Sequence, residues 1–283
     1  MPKSLIIGIS GPSSSGKTTL ARLLRDIFPN TFILHQDDFY KPEPECVALP
    51  PHSPQCSHEG RLPVKNGLLD WDSAGALDIS AMTEALSYIR QHASFPVLAP
   101  HRLTFCSQIL TSSKPTLDSK EDQNSVGKCP VPESTITALR SRVSDALPSS
   151  HPLRGENLRL CLLDGFLLYS PSMQAVHSHL DLKLFVRASY AKAKARREAR
   201  DGYVTIEGFW ADPPGYVDKI VWPNYVEEHA WMFDGGDVEG TFNADVLESQ
   251  GIKAPKEAPV DADLEYVLGW MVDVVIDELR KHL

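Results

Sequence analysis

Apolar residues along the chain occur in two patterns, as short continuous runs and as longer stretches with helical spacing. The short runs are rich in β-branched residues and predict buried strands over residues 5–9, 31–35, 158–163, 182–186 and 244–247. The longer stretches predict amphipathic helices over residues 16–28, 78–92, 189–200, 218–233 and 263–283. Strands and helices therefore alternate, which predicts an α/β fold with a parallel sheet covered on both faces.

Two stretches follow neither pattern. Residues 42–66 hold six prolines together with several His and Cys, and residues 100–157 are rich in Ser, Thr and Pro. We predict one domain over residues 1–283, with loop insertions at about 43–66 and 100–157. The second insertion is expected to be disordered or loosely packed, with one short helix within 135–146. Deleting much of 104–150 should then leave activity intact.

Composition narrows the function classes. The chain has 283 residues and a formal net charge of -9, so it lacks the basic character of proteins that coat nucleic acid. Its five cysteines match no zinc spacing, which favours free thiols in a reducing compartment. No apolar run reaches the ~20 residues of a membrane helix. From this we expect a monomeric cytoplasmic protein without nucleic-acid or membrane partners.

The first insertion is a candidate metal site, because His52, His58, Cys46 and Cys56 lie close together in sequence. No pair among them has a known ligand spacing, so an unstructured insertion is the preferred interpretation.

Residues 11–18 read GPSSSGKT and fit the phosphate-loop pattern G-x-x-x-x-G-K-[ST]. Backbone N–H groups in such a loop point at phosphate oxygens, and the helix that follows adds its positive end. Lys17 would reach the β- and γ-phosphates, and the Thr18 hydroxyl would ligate Mg²⁺. A chance Gly/Ser turn is the alternative, but the apolar strand before the loop and the helix after it disfavour that interpretation.

Acidic residues follow two other predicted strands. Asp37 and Asp38 end the second strand, and Asp164 ends the run 158–163. Ligands of open α/β sheets bind beyond the carboxyl ends of strands, so these carboxylates are candidates for a proton acceptor and a metal ligand. Solvated turn residues remain the alternative for Asp37 and Asp38, and a helix cap remains the alternative for Asp164.

Two further groups of residues are candidates for binding or catalysis. Trp71 could stack on a planar base and Asp72 could accept hydrogen bonds from sugar hydroxyls, but on spacing alone packing for Trp71 and a cap or turn for Asp72 are the favoured interpretations. Arg196, Arg197 and Arg200 lie on one basic helix. They could stabilise charge on a transferring phosphoryl group, or they could form a solvated helix face.

Several segments together resemble nicotinamide riboside kinases, within the uridine-kinase-like group of P-loop nucleoside kinases. The segments are 8–19 (GISGPSSSGKTT), 36–42 (QDDFYKP), 71–72 (WD), 164–169 (DGFLLY), 196–197 (RR), 212–216 (DPPGY) and 221–223 (VWP). The resemblance spans about two thirds of the chain and omits the two insertions. The phosphate loop occurs in many kinases, whereas the 36–42 and 212–223 segments are far narrower signals.

The resemblance implies a three-layer P-loop kinase fold with a small lid over about 196–216. It implies ATP-dependent phosphorylation of the ribose 5′-hydroxyl of nicotinamide riboside, with Mg²⁺ as cofactor, in NAD biosynthesis. Uridine or cytidine kinase is the alternative, and a non-catalytic nucleotide-binding regulator is a lesser one. Whether nicotinic acid riboside is also used stays open.

Site roles follow from the same resemblance. Catalysis would involve Asp37 as the base, Lys17 and Asp164, and the metal ligands would be Thr18, Asp37 and Asp164. The implied ATP-binding residues are Gly11, Ser13, Ser14, Ser15, Gly16, Lys17, Thr18, Thr19, Arg196 and Arg200. The implied substrate-binding residues are Asp37, Asp38, Phe39, Tyr40, Trp71, Asp72, Arg197 and Tyr203.

The chain departs from the family pattern at two of these positions. The family often has Glu where this chain has Asp164, and Asp is one methylene shorter. The lid before Tyr203 is slightly longer than the family pattern. The adenine pocket is expected in the loop after the last strand, near 251–253.

Overall fold

A computed structural model describes residues 3–41, 62–96, 129–155, 157–200, 203–205 and 208–282. Five strands form the central sheet: β1 (Lys3–Ser10), β2 (Thr31–His35), β5 (Leu158–Asp164), β6 (Leu182–Phe185) and β9 (Ile252–Lys253). Their order across the sheet is β2-β5-β1-β6-β9, and every neighbouring pair is parallel. The predicted parallel α/β fold is confirmed.

Two small hairpins lie outside the sheet. One consists of β3 (Val64–Lys65) and β4 (Leu68–Leu69), and the other of β7 (Tyr203–Thr205) and β8 (Gly208–Trp210). We call β7–β8 the lid hairpin because it falls within the predicted lid.

Eight α-helices surround the sheet in the described residues: α1 (Lys17–Ile27), α2 (Ile79–His92), α3 (Glu133–Ala146), α4 (Gln174–His177), α5 (Tyr190–Glu198), α6 (Trp222–His229), α7 (Ala244–Ser249) and α8 (Leu264–Leu279). A π-helical turn, Val217–Val221, leads into α6, and a 3₁₀ turn, Gln36–Phe39, follows β2.

The sheet separates two hydrophobic cores. Alternate residues of β1 face opposite sides, with Ile7 and Ile9 in one core and Ile6 in the other. Helices α1, α3 and α8 cover the first face, and α2, α4, α6 and α7 cover the second. The result is a three-layer fold in which the carboxyl ends of the strands remain open for a site.

Helix α3 corrects the expectation of loose packing for the second insertion. Ile136, Leu139 and Val143 lie on one face of α3 and are buried in the same core as α1 and α8. His151 is also buried and hydrogen-bonds the carbonyl of Leu279 at 3.1 Å. Deleting 104–150 would therefore remove part of the core, and the expectation of intact activity no longer follows.

The last strand was also misplaced. Residues 244–247 form the start of helix α7, not a strand, and the Asn243 side chain caps that helix by accepting a bond from the Val246 N–H at 3.0 Å. The last strand is β9, which occupies two of the residues expected to form the adenine loop. The loop after the last strand therefore begins at 254.

Other expectations fall outside the described residues. They concern most of the first insertion, including His52, His58, Cys46 and Cys56, and residues 100–128 of the second. Within the part of the chain that the structure describes, no helix is long and apolar enough to cross a membrane.

Candidate active site

The carboxyl ends of three neighbouring strands bring the predicted chemistry together. Strand β5 lies between β1 and β2, and Asp164 at its end is in register with Ile9 of β1 and His35 of β2. The phosphate loop follows β1 and Asp37 follows β2, so both adjoin Asp164. Asp37, Asp164 and the phosphate loop therefore lie at one edge of the sheet, as their positions after the strands predicted.

The phosphate loop has the backbone that an anion cradle requires. Gly11 has φ 149°, and a Cβ there would lie 2.2 Å from the Val186 carbonyl oxygen. Gly16 has φ 101°, and a Cβ at this position would clash with the Leu264 side chain. The Ser14 and Ser15 hydroxyls are buried without a hydrogen-bond partner among the described residues, and they are available to phosphate oxygens.

Lys17 begins α1 and is buried inside the loop. Its Nζ donates to the Pro12 carbonyl at 2.9 Å, so the ammonium is directed into the curl of the loop. Burial lowers the pKa of Lys17, and the negative charges of Asp164 and Asp37 partly offset that effect. A phosphate group bound in the loop would supply further negative charge where the cation is least solvated.

Thr18, Asp164 and His35 form a connected group beside the loop. Thr18 Oγ1 donates to Asp164 Oδ2 at 2.6 Å, and His35 Nδ1 lies 3.2 Å from the same oxygen. Burial favours the neutral form of Asp164, but His35, Lys17 and Thr18 outweigh it and hold its pKa below the usual range. The lowered pKa favours the carboxylate form of Asp164 at neutral pH.

This donor set fits Mg²⁺. A hydroxyl and a carboxylate in direct contact are hard oxygen ligands, which magnesium prefers, and magnesium usually takes only one or two ligands from protein beside phosphates and water. Among the described residues no group of three or more His, Cys, Asp and Glu could hold a metal ion alone.

The pKa of Asp37 is shifted in the opposite direction to that of Asp164. The Asp37 side chain is exposed to solvent, although many protein atoms lie around it. Burial raises its pKa, and the charge of Asp164 raises it further, while His35 and Lys17 act in the other direction. Two adjacent carboxylates with pKa values shifted apart suit a proton acceptor beside a metal ligand.

Gln36 fixes these two acids relative to each other. Its buried Oε1 accepts from the N–H groups of Phe166 at 2.8 Å and Leu167 at 3.2 Å. Gln36 precedes Asp37, and Phe166 follows Asp164 by two residues. The amide therefore ties the end of β2 to the end of β5.

An aromatic group stands beside the acids. Tyr40 contacts Trp71 edge-to-face with ring centroids 5.8 Å apart, and it stacks on Phe166 at 6.4 Å. Burial, together with nearby Asp37 and Asp72, raises the pKa of the Tyr40 phenol well above its usual value, so it stays neutral. Phe39, expected at the substrate entrance, instead packs in the core of the second sheet face.

Asp72 and Arg197 meet in a buried ion pair. Arg197 Nη1 and Nη2 donate to the two Asp72 oxygens at 2.8 Å and 3.0 Å, and Nη1 also donates to Ser13 Oγ at 3.0 Å. Asp212 accepts from the same guanidinium. The structure therefore links Asp72 to the phosphate loop through Arg197, and the solvated-face interpretation fails for Arg197.

The segment that carries Trp71 and Asp72 is anchored by residues distant in sequence. Asn224 Nδ2 donates to Asp70 Oδ1 at 2.8 Å and to the Asp72 carbonyl at 3.1 Å. Tyr216 Oη accepts from the Trp71 N–H at 3.0 Å and donates to the Leu69 carbonyl at 3.1 Å. These bonds account for why a short loop holds a defined shape.

The remaining predicted residues are less constrained. Arg196 Nη1 donates to the Ser14 carbonyl at 3.3 Å, which places this arginine at the phosphate loop, while Arg200 is exposed. Asp38 is half-buried after β2, and Thr19 is half-buried in the first turn of α1. Tyr203 starts the lid hairpin, and its side chain lies outside the described part.

Sequence reasoning assigned no role to several residues that shape this site: His35, Gln36, Asp212, Tyr216 and Asn224. All five stand next to or within segments that carried the family resemblance, which was the only available signal. Asn224 follows the 221–223 segment directly. Each acts through contacts with residues far away in the chain, which periodicity does not reveal.

Comparisons with known proteins give a consistent result. No family model matches the chain. Curated relatives include a nicotinamide riboside kinase of Schizosaccharomyces pombe, 34% identical over 84% of each chain, and one of Saccharomyces cerevisiae, 30% identical over 94% of each. Nicotinamide riboside kinase 1 of Homo sapiens is 27% identical over 82% of this chain and 80% of its own.

Proposed function

The chain belongs to the nicotinamide riboside kinase family, and on that premise we propose that it transfers the γ-phosphoryl group of ATP to the ribose 5′-hydroxyl of nicotinamide riboside. The products are nicotinamide mononucleotide and ADP, which makes the reaction a step of NAD biosynthesis. One observation carries the proposal at the level of residues. Arg197 joins Ser13 of the phosphate loop to Asp72 beside Trp71, so a bound riboside would lie next to the phosphates of ATP.

The proposed chemistry assigns each residue one task. Asp37 accepts the proton of the 5′-hydroxyl, whose oxygen attacks the γ-phosphorus as the bond to the bridging oxygen of ADP breaks. Its raised pKa makes it a stronger base than an ordinary aspartate. Lys17 and the loop N–H groups hold the transferring phosphoryl group, and Arg196 and Arg200 approach from the lid side.

Mg²⁺ would be held by Thr18 and Asp164, with Asp37 close by, and when bound it neutralises charge between the β- and γ-phosphates. The contact between Thr18 and Asp164 supports this placement because it supplies two oxygen ligands side by side. Asp164 is one methylene shorter than Glu, and its direct contact with Thr18 supports its being long enough for the task.

Recognition of the acceptor follows from charge. Nicotinamide riboside carries a planar pyridinium cation, which an aromatic ring such as Trp71 would favour through its π face. Asp37 and Asp72, which both act on the Tyr40 ring beside Trp71, add negative charge there. A neutral uridine base would gain less from both interactions.

The assay compares acceptors directly. The purified protein with Mg²⁺ and ATP should phosphorylate nicotinamide riboside with a higher kcat/KM than uridine or cytidine, with nicotinic acid riboside included in the panel. Product is measured as mononucleotide by chromatography. Lys17→Ala, prepared in the same way, controls for a contaminating kinase. A higher kcat/KM on uridine would overturn the proposed acceptor.

A further inference from the structure

The 212–216 segment carried the family resemblance but has so far received no task in catalysis. Its first residue, Asp212, accepts from Arg197 Nε at 2.6 Å and from Nη2 at 3.1 Å. With the bonds to Asp72 and Ser13, Arg197 makes five hydrogen bonds to residues that the structure describes, and they involve all three of its guanidinium nitrogens. We call Arg197, Asp72, Asp212 and Ser13 the arginine clamp.

The clamp closes the base of the lid hairpin. Arg197 lies in the last turn of α5, before β7, and Asp212 comes two residues after β8. The chain therefore leaves and re-enters the body of the protein at one ion pair. The Arg197 side chain is only 7% exposed and that of Asp212 18%, so water screens this pair poorly.

The segment after the hairpin is built to present Asp212 rigidly. Asp212 precedes Pro213 and Pro214, which restrict its own backbone and fix φ at the next two positions. The Tyr216 N–H then donates to the Pro213 carbonyl at 3.0 Å and closes a turn. The Tyr216 ring lies 5.5 Å from the Arg197 guanidinium carbon, so the same turn supplies a carboxylate and an aromatic face.

The two carboxylates approach Arg197 along different edges. Asp212 takes the Nε edge, which leaves Nη1 directed at Asp72 and Ser13. The Arg197 guanidinium and the two carboxylates together carry a net charge of about -1, so Asp72 is incompletely neutralised and keeps acceptor strength for sugar hydroxyls. Without Asp212, Arg197 would lose the carboxylate that holds its Nε edge and would keep only part of the contacts that fix its orientation.

We propose that Asp212 is a positioning residue that holds Arg197 at the base of the lid hairpin and thereby keeps Asp72 available to the ribose of the acceptor. This inference rests on the proposed function, because it assumes that the acceptor binds beside Asp72. Asp212 acts through Arg197 and does not itself touch the reacting atoms.

The test measures steady-state constants of Asp212→Asn and Asp212→Glu in the full-length protein. Loss of two charge-assisted bonds should raise the KM for nicotinamide riboside about tenfold in Asp212→Asn, with the KM for ATP changed less than about threefold. Asp212→Glu keeps the charge and should recover part of the loss. A merely structural role would lower the melting temperature without separating the two KM values.

Asp218→Asn is the matched control. Asp218 also ties α5 to the segment after the hairpin, because it accepts from Lys194 Nζ at 2.7 Å and from the Tyr190 hydroxyl, but it is exposed and does not touch the clamp. Its KM values should match those of the wild type. An equal riboside effect in Asp218→Asn would overturn the proposal, since any tether would then serve.

The wild-type acceptor panel separates the two proposals. If the wild type prefers another riboside, the proposed acceptor is wrong, and the KM comparison is made with the preferred riboside instead. If the wild type phosphorylates nicotinamide riboside and Asp212→Asn leaves its KM unchanged, the positioning role alone is overturned. Should Asp212→Asn not fold, Asp212→Glu decides by the same criterion, an intermediate rise of about threefold in riboside KM only.

Discussion

The phosphate loop and the arginine clamp lie side by side but are assembled differently. The loop is eight consecutive residues, and much of its function comes from backbone N–H groups and two glycine conformations. The clamp draws side chains from the loop, from the segment before α2, from α5 and from the turn after the lid hairpin. The loop would act on ATP, which many enzymes share, and the clamp on the acceptor, which distinguishes this family.

This difference predicts a division of kinetic effects. Substitutions in the loop and at Asp37 should act mainly on turnover, because these residues would contact the transferring phosphoryl group and proton. Changes in the clamp and at Trp71 should act mainly on the KM of the acceptor. Four experiments, from the largest expected effect to the smallest, test that division.

Both regions depend on a common core, and removing part of it should abolish both. Deletion of 129–155 removes α3 with Ile136, Leu139 and Val143, and losing each of these buried side chains costs about 1–5 kcal/mol, against a typical total stability of 5–15 kcal/mol. We expect no cooperative thermal transition by circular dichroism. Deletion of 104–128 leaves α3 in place and should retain the transition and the activity. A folded, active 129–155 deletion would contradict the assigned packing.

Asp37→Ala tests the turnover side. Loss of the proton acceptor should lower kcat by roughly 10²-fold or more while ATP still binds, measured by calorimetric titration. Asp38→Ala removes the neighbouring carboxylate, which is not assigned as the base, and should have a smaller effect on kcat. Near-normal turnover of Asp37→Ala, or equal losses in both variants, would remove Asp37 from its role.

Arg197→Lys tests the acceptor side. A lysine offers one point charge and cannot serve both Asp72 edges, Asp212 and Ser13 at once, so the riboside KM should rise about tenfold or more. Arg200→Lys on the exposed end of the same helical segment should change the ATP KM more than the riboside KM. A fall in kcat alone, with both KM values unchanged, would break the division between the two regions.

Trp71→Leu tests the aromatic contact. Replacing the ring removes a cation–π interaction worth about 0.5–2 kcal/mol, which corresponds to a rise in riboside KM of roughly 2–30-fold. Trp71→Tyr keeps an aromatic face and should restore most of the affinity. If Trp71→Leu and Trp71→Tyr have the same KM as the wild type, Trp71 serves only to pack against Tyr40.

Local sequence was sufficient where one element fixes the answer. The spacing of apolar residues predicted β1, β2, β5 and β6 within one residue or two, because buried strands and helices leave a periodic imprint. It failed at 244–247, where the Asn243 cap was the overlooked signal, and at β9, which is too short to show a period. The polar composition of residues 100–157 suggested loose packing, which is wrong for α3. The predicted helix within 135–146 is present, and its three buried residues have helical spacing.

The sequence by itself predicted that nucleotide phosphates bind at residues 11–18, because a backbone cradle is encoded by consecutive residues. It also determined, through segments resembling a known family, which acidic and basic side chains to examine. Only the tertiary structure decided that Ser13, Asp72 and Asp212 all accept hydrogen bonds from the Arg197 guanidinium. The reason is physical: the direction and charge of a buried ion pair depend on every group that surrounds it, and here those groups come from four distant segments.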